Sequence, residues 1–161
     1  MPSDFVALLS ELSYDPFFVI DRDRRITAFN KPFSLMLGLR GAKQRQIEGT
    51  PYQELLALDA TGQACVTDCL ASDHNVRVQS VRATLRDRRE LVLDMSALPL
   101  KDAAGRVSGV LILQRDVTDE QRLKDRYNQS RQEQLNERET LLKIISDRDA
   151  EIKKLKRQLA R

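Results

Sequence analysis

From Asp119 to Arg161 the chain runs without a single glycine or proline. A stretch of that length, free of both backbone breakers and rich in Leu, Glu, Gln, Lys and Arg, reads as one helix about 65 Å long. It has few apolar residues, so any core must come from residues 1–118. The join, Leu111-Ile-Leu-Gln-Arg-Asp-Val-Thr-Asp119, is an apolar strand passing directly into the helix-favouring tail. A compact head feeding one long helix is the layout of a signalling module, because a change in the head has to leave through the helix.

Charge supports that division. The tail carries 12 Lys/Arg against 9 Asp/Glu, which accounts for the whole net charge of +3. The head is neutral, with 15 of each. So small an excess, spread along a helix, argues against a nucleic-acid footprint and fits a solvated surface. No apolar run reaches the ~18–20 residues of a membrane span. Met1-Pro2-Ser3-Asp4 does not open a signal peptide, and two cysteines are too few for a disulfide scaffold. A cytoplasmic location is expected.

Within the head, Ser3 or Asp4 caps a first helix with Phe5, Leu8, Leu9 and Leu12 on one stripe, ended by Pro16. Phe17–Ile20 and Ile26–Phe29 read as a hairpin around the charged turn Asp21–Arg24. Asn30 is a good N-cap for a helix carrying Phe33, Met36 and Leu37, closed at Gly38. Residues 39–74 are irregular. Pro51 opens a helix with Tyr52, Leu55 and Leu56 on its face, and a second helix follows Thr61-Gly62 with Val66 and Leu70 on one side. Val76–Leu85 and Leu91–Leu100 then alternate apolar and polar around the tip Arg86–Arg89, and a last strand starts at Val107. The expected architecture is α+β: a cap helix at 1–13, a domain with a five-stranded antiparallel sheet and helical crossing at 14–118, and a coiled-coil helix at 119–161.

That order resembles a PAS domain, and local segments carry the resemblance. Pro16–Asp21 with Ile26–Lys31 is similar to the family's opening hairpin, and Met36-Leu37-Gly38 to the end of the helix that follows. Ser96–Asp102 with Gly105–Gly109 looks like the loop before the last strand. Asp116-Val117-Thr118 is similar to the motif that couples PAS domains to their output helix. The resemblance implies that Asp116 pairs with a basic residue of the preceding loop, Arg106 or Lys101. On elementary grounds, Asp116 and Thr118 stand where short oxygen-bearing side chains cap a helix start.

Members of the family hold haem, flavin, metabolites, metals or nothing. His74, the one histidine, lies in a loop where solvation is the simpler reading than haem ligation. Gln114 stands where blue-light members keep a flavin-contacting Gln. Those members also need the run Asn-Cys-Arg-Phe-Leu-Gln, and here the comparable stretch is Gly49-Thr-Pro-Tyr-Gln-Glu-Leu-Leu56, so neither haem nor flavin is favoured. Cys65 and Cys69 share a helix face, a spacing open to redox sensing or, with His74, Asp68 or Asp73, to a metal. The plainer reading is two small hydrophobes in the core. Leu55, Leu56, Val66, Leu70, Met95, Ile112 and Gln114 line a candidate ligand pocket or simply fill the interior. No catalytic constellation is visible, so an enzyme is not expected.

In the tail, Leu141, Ile145, Ile152, Leu155 and Leu159 follow a coiled-coil seam, broken by Arg148. Ile at a with Leu at d favours a parallel two-stranded coil and hence a homodimer. The sequence therefore predicts a dimeric sensory module that relays a change in its core to the coil and from there to a partner protein or output domain outside the chain. The alternative is an interaction scaffold in which the coil only sets valency.

Overall fold

The computed structural model describes residues 3–159, without the side chains of Ser3, Asp4, Phe5, Ala7 and Leu159. The expected capping by Ser3 or Asp4, the packing of Phe5 and that of Leu159 therefore lie outside the described residues. The chain divides into two compact units, Met1–Thr118 and Asp119–Arg161.

The first unit begins with helix α1 (Ser3–Leu12), strands β1 (Phe17–Asp21) and β2 (Ile26–Phe29), and helix α2 (Lys31–Met36). After a 3-10 segment at Gly41–Gln46 come α3 (Tyr52–Leu55), β3 (Leu56–Leu58), α4 (Ala60–Ser72), and the strands β4 (Val76–Leu85), β5 (Glu90–Lys101) and β6 (Val107–Asp116). The strands form one sheet in the order β2-β1-β6-β5-β4-β3, and every neighbouring pair is antiparallel.

Burial explains the sequence pattern. Phe17 to Ile20 is apolar at every position because β1 is covered on both faces. Phe18 and Ile20 face the main core with Phe33, Tyr52, Val66, Met95 and Ile112. Phe17 and Val19 face the opposite side, where Leu100 and Leu111 meet Val6 and Leu9 of α1. Each such fully buried side chain contributes roughly 1.5–3 kcal/mol. Through Val81–Leu85, β4 alternates buried and exposed residues, because there only its inner face is covered.

Two side chains fasten helices to this sheet. Asn30 caps α2 by accepting from Phe33 N–H at 3.1 Å, and the same Oδ1 accepts from Phe17 N–H at 3.0 Å. Its Nδ2 donates to Asp15 O at 2.8 Å. Asp59 caps α4 through Gly62 N–H at 2.9 Å while its other oxygen takes Arg82 N–H of β4 at 2.9 Å. Gly62 allows α4 to seat closely, since a Cβ there would come within 2.6 Å of Val81 Cγ1.

The sheet has six strands where five were expected. The helix opened by Pro51 ends at Leu55, and Leu56–Leu58 extends to pair with Leu85–Ala83. Leu56 and Leu58 are buried and Ala57 is exposed, a period of two too short to stand out in the sequence.

Helix α5 starts at Thr118 and runs to Leu159, and from Asp119 on it makes up the second unit. No helix among the described residues is long and apolar enough to cross a membrane.

Candidate sensory core and output junction

Strand alternation turns Val110, Ile112 and Gln114 of β6 toward the main core. The register sets Gln114 beside Met95 of β5, and Met95 beside Val78 of β4. Gln114 is 1% exposed, and neither its amide oxygen nor its amide nitrogen has a hydrogen-bond partner. The hydroxyl of the fully buried Tyr52 is likewise unpartnered. Its ring lies 5.9 Å from that of Phe18, which stacks at 4.6 Å on Phe33. Burial raises the Tyr52 phenol above its ordinary 10.0, a shift the nearby Arg24 partly offsets.

An unpaired buried polar group costs about 1–3 kcal/mol, so these atoms require a reason. The other buried polar side chains do not share the problem. Asn30 uses both its oxygen and its nitrogen, and Ser34 Oγ donates to Lys31 O and accepts from Gln44 Nε2, both at 2.9 Å.

The expected pocket residues Leu55, Leu56, Val66, Met95 and Ile112 meet in this core, with Leu70 packed at its margin. Cys65 and Cys69 are buried and free. The Cys65 thiol points to Val76 O at 3.8 Å. Burial pushes both thiols up, Cys69 to about 11 with Cys65 and Asp73 adding to the effect. The shift favours the thiol over the thiolate at neutral pH. Among the described residues no group of three or more His, Cys, Asp or Glu is placed to hold a metal. His74 is exposed beyond the end of α4.

At the end of β6 the backbone passes into α5 through a compact latch. Val117 N–H donates to Val92 O at 2.9 Å, and Val92 N–H donates to Thr118 Oγ1 at 2.9 Å. Asp116 Oδ1 accepts from both the N–H and the hydroxyl of Thr118. Both backbone groups of Val92 on β5 are thus held by the first residues of the junction. The buried Val117 side chain anchors it.

The basic residues expected to pair with Asp116 are engaged elsewhere. Arg106 pairs with Asp102 at 3.3 Å and Lys101 with Asp73 at 2.7 Å. Arg106 precedes β6 and Asp116 ends it, so strand rise alone separates them by about 30 Å. Arg106 therefore belongs to the β5–β6 turn and not to the junction. Sequence reasoning also passed over Val92, whose part is played by backbone, and Tyr52, whose hydroxyl looks like that of any half-buried tyrosine.

A six-stranded antiparallel sheet with a helical crossing on one face, a short helix on the other and a long helix after the last strand define a class of small α+β sensory domains. The profile of the PAS fold matches residues 10–122, and the chain belongs to that family. The PAS domain of a Colwellia psychrerythraea protein is 18% identical, with a TM-score of 0.58 over 72% of this chain and 97% of its own. The PAS domain of nitrogen regulation protein NR(II) from Vibrio parahaemolyticus is 20% identical, with a TM-score of 0.56 over 71% and 98%. A light-oxygen-voltage domain solved with a flavin analogue is 17% identical, with a TM-score of 0.60 over 82% and 98%. At such identities the likeness is one of fold. No curated protein sequence matches the chain. PAS domains are typically sensory and signalling modules.

Proposed function

We propose that this protein is a dimeric sensory module whose core takes a small, neutral ligand and whose response leaves through α5. The observation that carries the reading is Gln114. Its buried amide offers an unused donor and an unused acceptor, and it stands two residues before Asp116 on the strand that ends in the junction. A ligand that pairs with that amide acts directly on β6, and the latch to Val92 passes a shift of β6 to the start of α5.

Neutrality follows from which groups are buried in the core. Among the described residues no Lys, Arg, His, Asp or Glu is buried, and the buried polar groups are the side chains of Asn30, Ser34 and Gln114 with the Tyr52 hydroxyl. A charged ligand would lose its hydration with no counter-charge in return. The light-oxygen-voltage neighbour raises flavin as one occupant. Gln114 suits a ring amide, but Gly49–Leu56 supplies no cysteine for adduct chemistry. No catalytic activity is part of this reading.

The half-exposed apolar residues Leu141, Ile145, Ile152 and Leu155 pair α5 with a second copy in a coiled coil. A partner protein or output domain beyond this chain receives the signal.

A second reading, the interaction scaffold, is favoured by Leu8, Leu12 and Tyr14, all well exposed and Tyr14 at 94%. Native mass spectrometry of protein purified without added ligand separates the two. A dimer with extra mass that Gln114→Leu abolishes supports the sensor. A dimer of polypeptide mass alone, unchanged by small neutral heterocycles, favours the scaffold.

A further inference from the structure

Between Leu141 and Leu155 the apolar face of α5 contains one polar layer, and the charges beside it match one way of pairing two helices. This step rests on the paired-helix reading above. With Ile145 and Ile152 at a and Leu141 and Leu155 at d, Arg148 occupies the d layer between them. Asp149 and Lys156 then fall at e and Glu151 at g. In the single chain Arg148 Nη1 lies 3.3 Å from Glu151 Oε2, and both side chains are exposed.

We infer that α5 docks on a second copy of this chain in parallel and in register, with Arg148 as the residue that enforces the register. In that arrangement each Glu151 at g faces the partner's Lys156 at e, five residues on, an attractive pair in both directions. Each Arg148 also lies against the partner's Asp149, because a d side chain packs beside the e position of the other strand. The two guanidinium groups share one layer ringed by the carboxylates of Asp149 and Glu151.

Other arrangements spread the charge over more layers. A slip of one heptad sets one Arg148 against Leu141 and the other against Leu155. An antiparallel pair sets a positions against d positions, so each Arg148 meets an isoleucine. Either way two layers bury a charge against a hydrocarbon side chain, which costs more than one shared and neutralised layer. A single polar position in a seam selects register at some cost in stability. Arg148 is a specificity element in a seam that would pair more tightly without it.

The test uses the full chain carrying Gln134→Cys, a polar d position one heptad before Leu141. Sedimentation gives the mass, and mild oxidation reports whether residue 134 of one copy meets residue 134 of the other. The buried native thiols are controlled by oxidising the unsubstituted chain in parallel. The expected result is a dimer that crosslinks at 134. Adding Arg148→Leu should tighten the dimer about tenfold or more and reduce the 134 crosslink several-fold, as other registers become populated; Arg148→Lys should preserve it. A monomer would sink the paired-helix reading itself. A dimer that fails to crosslink at 134 overturns the in-register arrangement, and a crosslink indifferent to Arg148→Leu overturns the role of Arg148.

Discussion

The head and the tail are held by different physics. In the head, side chains from α2, α3, α4 and the inner face of the sheet share one core, and helix ends and strand starts are tied by Asn30 and Asp59. In the tail every described residue from Arg122 to Gln158 is exposed. Its helix rests on propensity and on side-chain pairs such as Gln121–Asp125, Gln129–Glu133 and Gln132–Asn136, each at 3.0 Å. Such pairs contribute only about 0.2–0.5 kcal/mol apiece. The head can hold a shape by itself. The tail carries an exposed apolar stripe, Leu141, Ile145, Ile152 and Leu155.

The strongest way to break this comparison is to place a charge in each region. Ile112→Asp should prevent the head from folding, because the carboxylate would sit fully buried among apolar side chains. Ile145→Asp with Ile152→Asp should leave the melting of the head unchanged while sedimentation falls from two chains to one. A persistent dimer would mean that the head holds the assembly and would demote the tail.

Asn30→Ala comes next. It removes the cap of α2 and leaves Phe17 N–H and Asp15 O without their partner, for a loss of about 2–4 kcal/mol by chemical denaturation. A loss under ~1 kcal/mol would show that water replaces the side chain. Gly62→Ala should cost about 1–3 kcal/mol, since the added methyl strikes Val81 and Leu58 and must push α4 off the sheet. An equal or greater stability would mean that the helix moves away freely.

The smallest effect concerns pH. The Cys69 thiol is raised from 9.0 to about 11 in the folded protein. Between those values the unfolded chain has released the proton that the folded chain keeps, so stability falls as pH rises. The contribution is fully present below pH 9 and is lost through pH 11. Cys69→Ala should flatten that part of the profile, and an unchanged alkaline slope would assign it to other groups.

Legibility followed the range of the interactions. The alternation in β4 and β5, the cap at Asn30 and the breaker-free tail are local patterns, and each was readable in residues 1–161. Strand β3 was not, because three residues carry too little periodicity, and only its pairing with Ala83–Leu85 makes it a strand. The Asp116 partner was misassigned because nearness in sequence to the β5–β6 turn hides the length of β6 that separates them. The isolation of the Gln114 amide could not be read either. Its position on an alternating strand points it inward, but whether a neighbour reaches it depends on the packing of Met95 and the rest of the core.

By itself the sequence determined which residues are apolar, where the backbone must turn and where one helix has to start and continue, since those depend on side chains a few positions apart. Only the tertiary structure decided which polar atoms are left unpaired in the core, that Val92 receives the junction, and that burial raises the Cys65 and Cys69 thiols. Those outcomes depend on groups brought together from distant parts of the chain, where desolvation and the choice of partner are set by packing rather than by spacing.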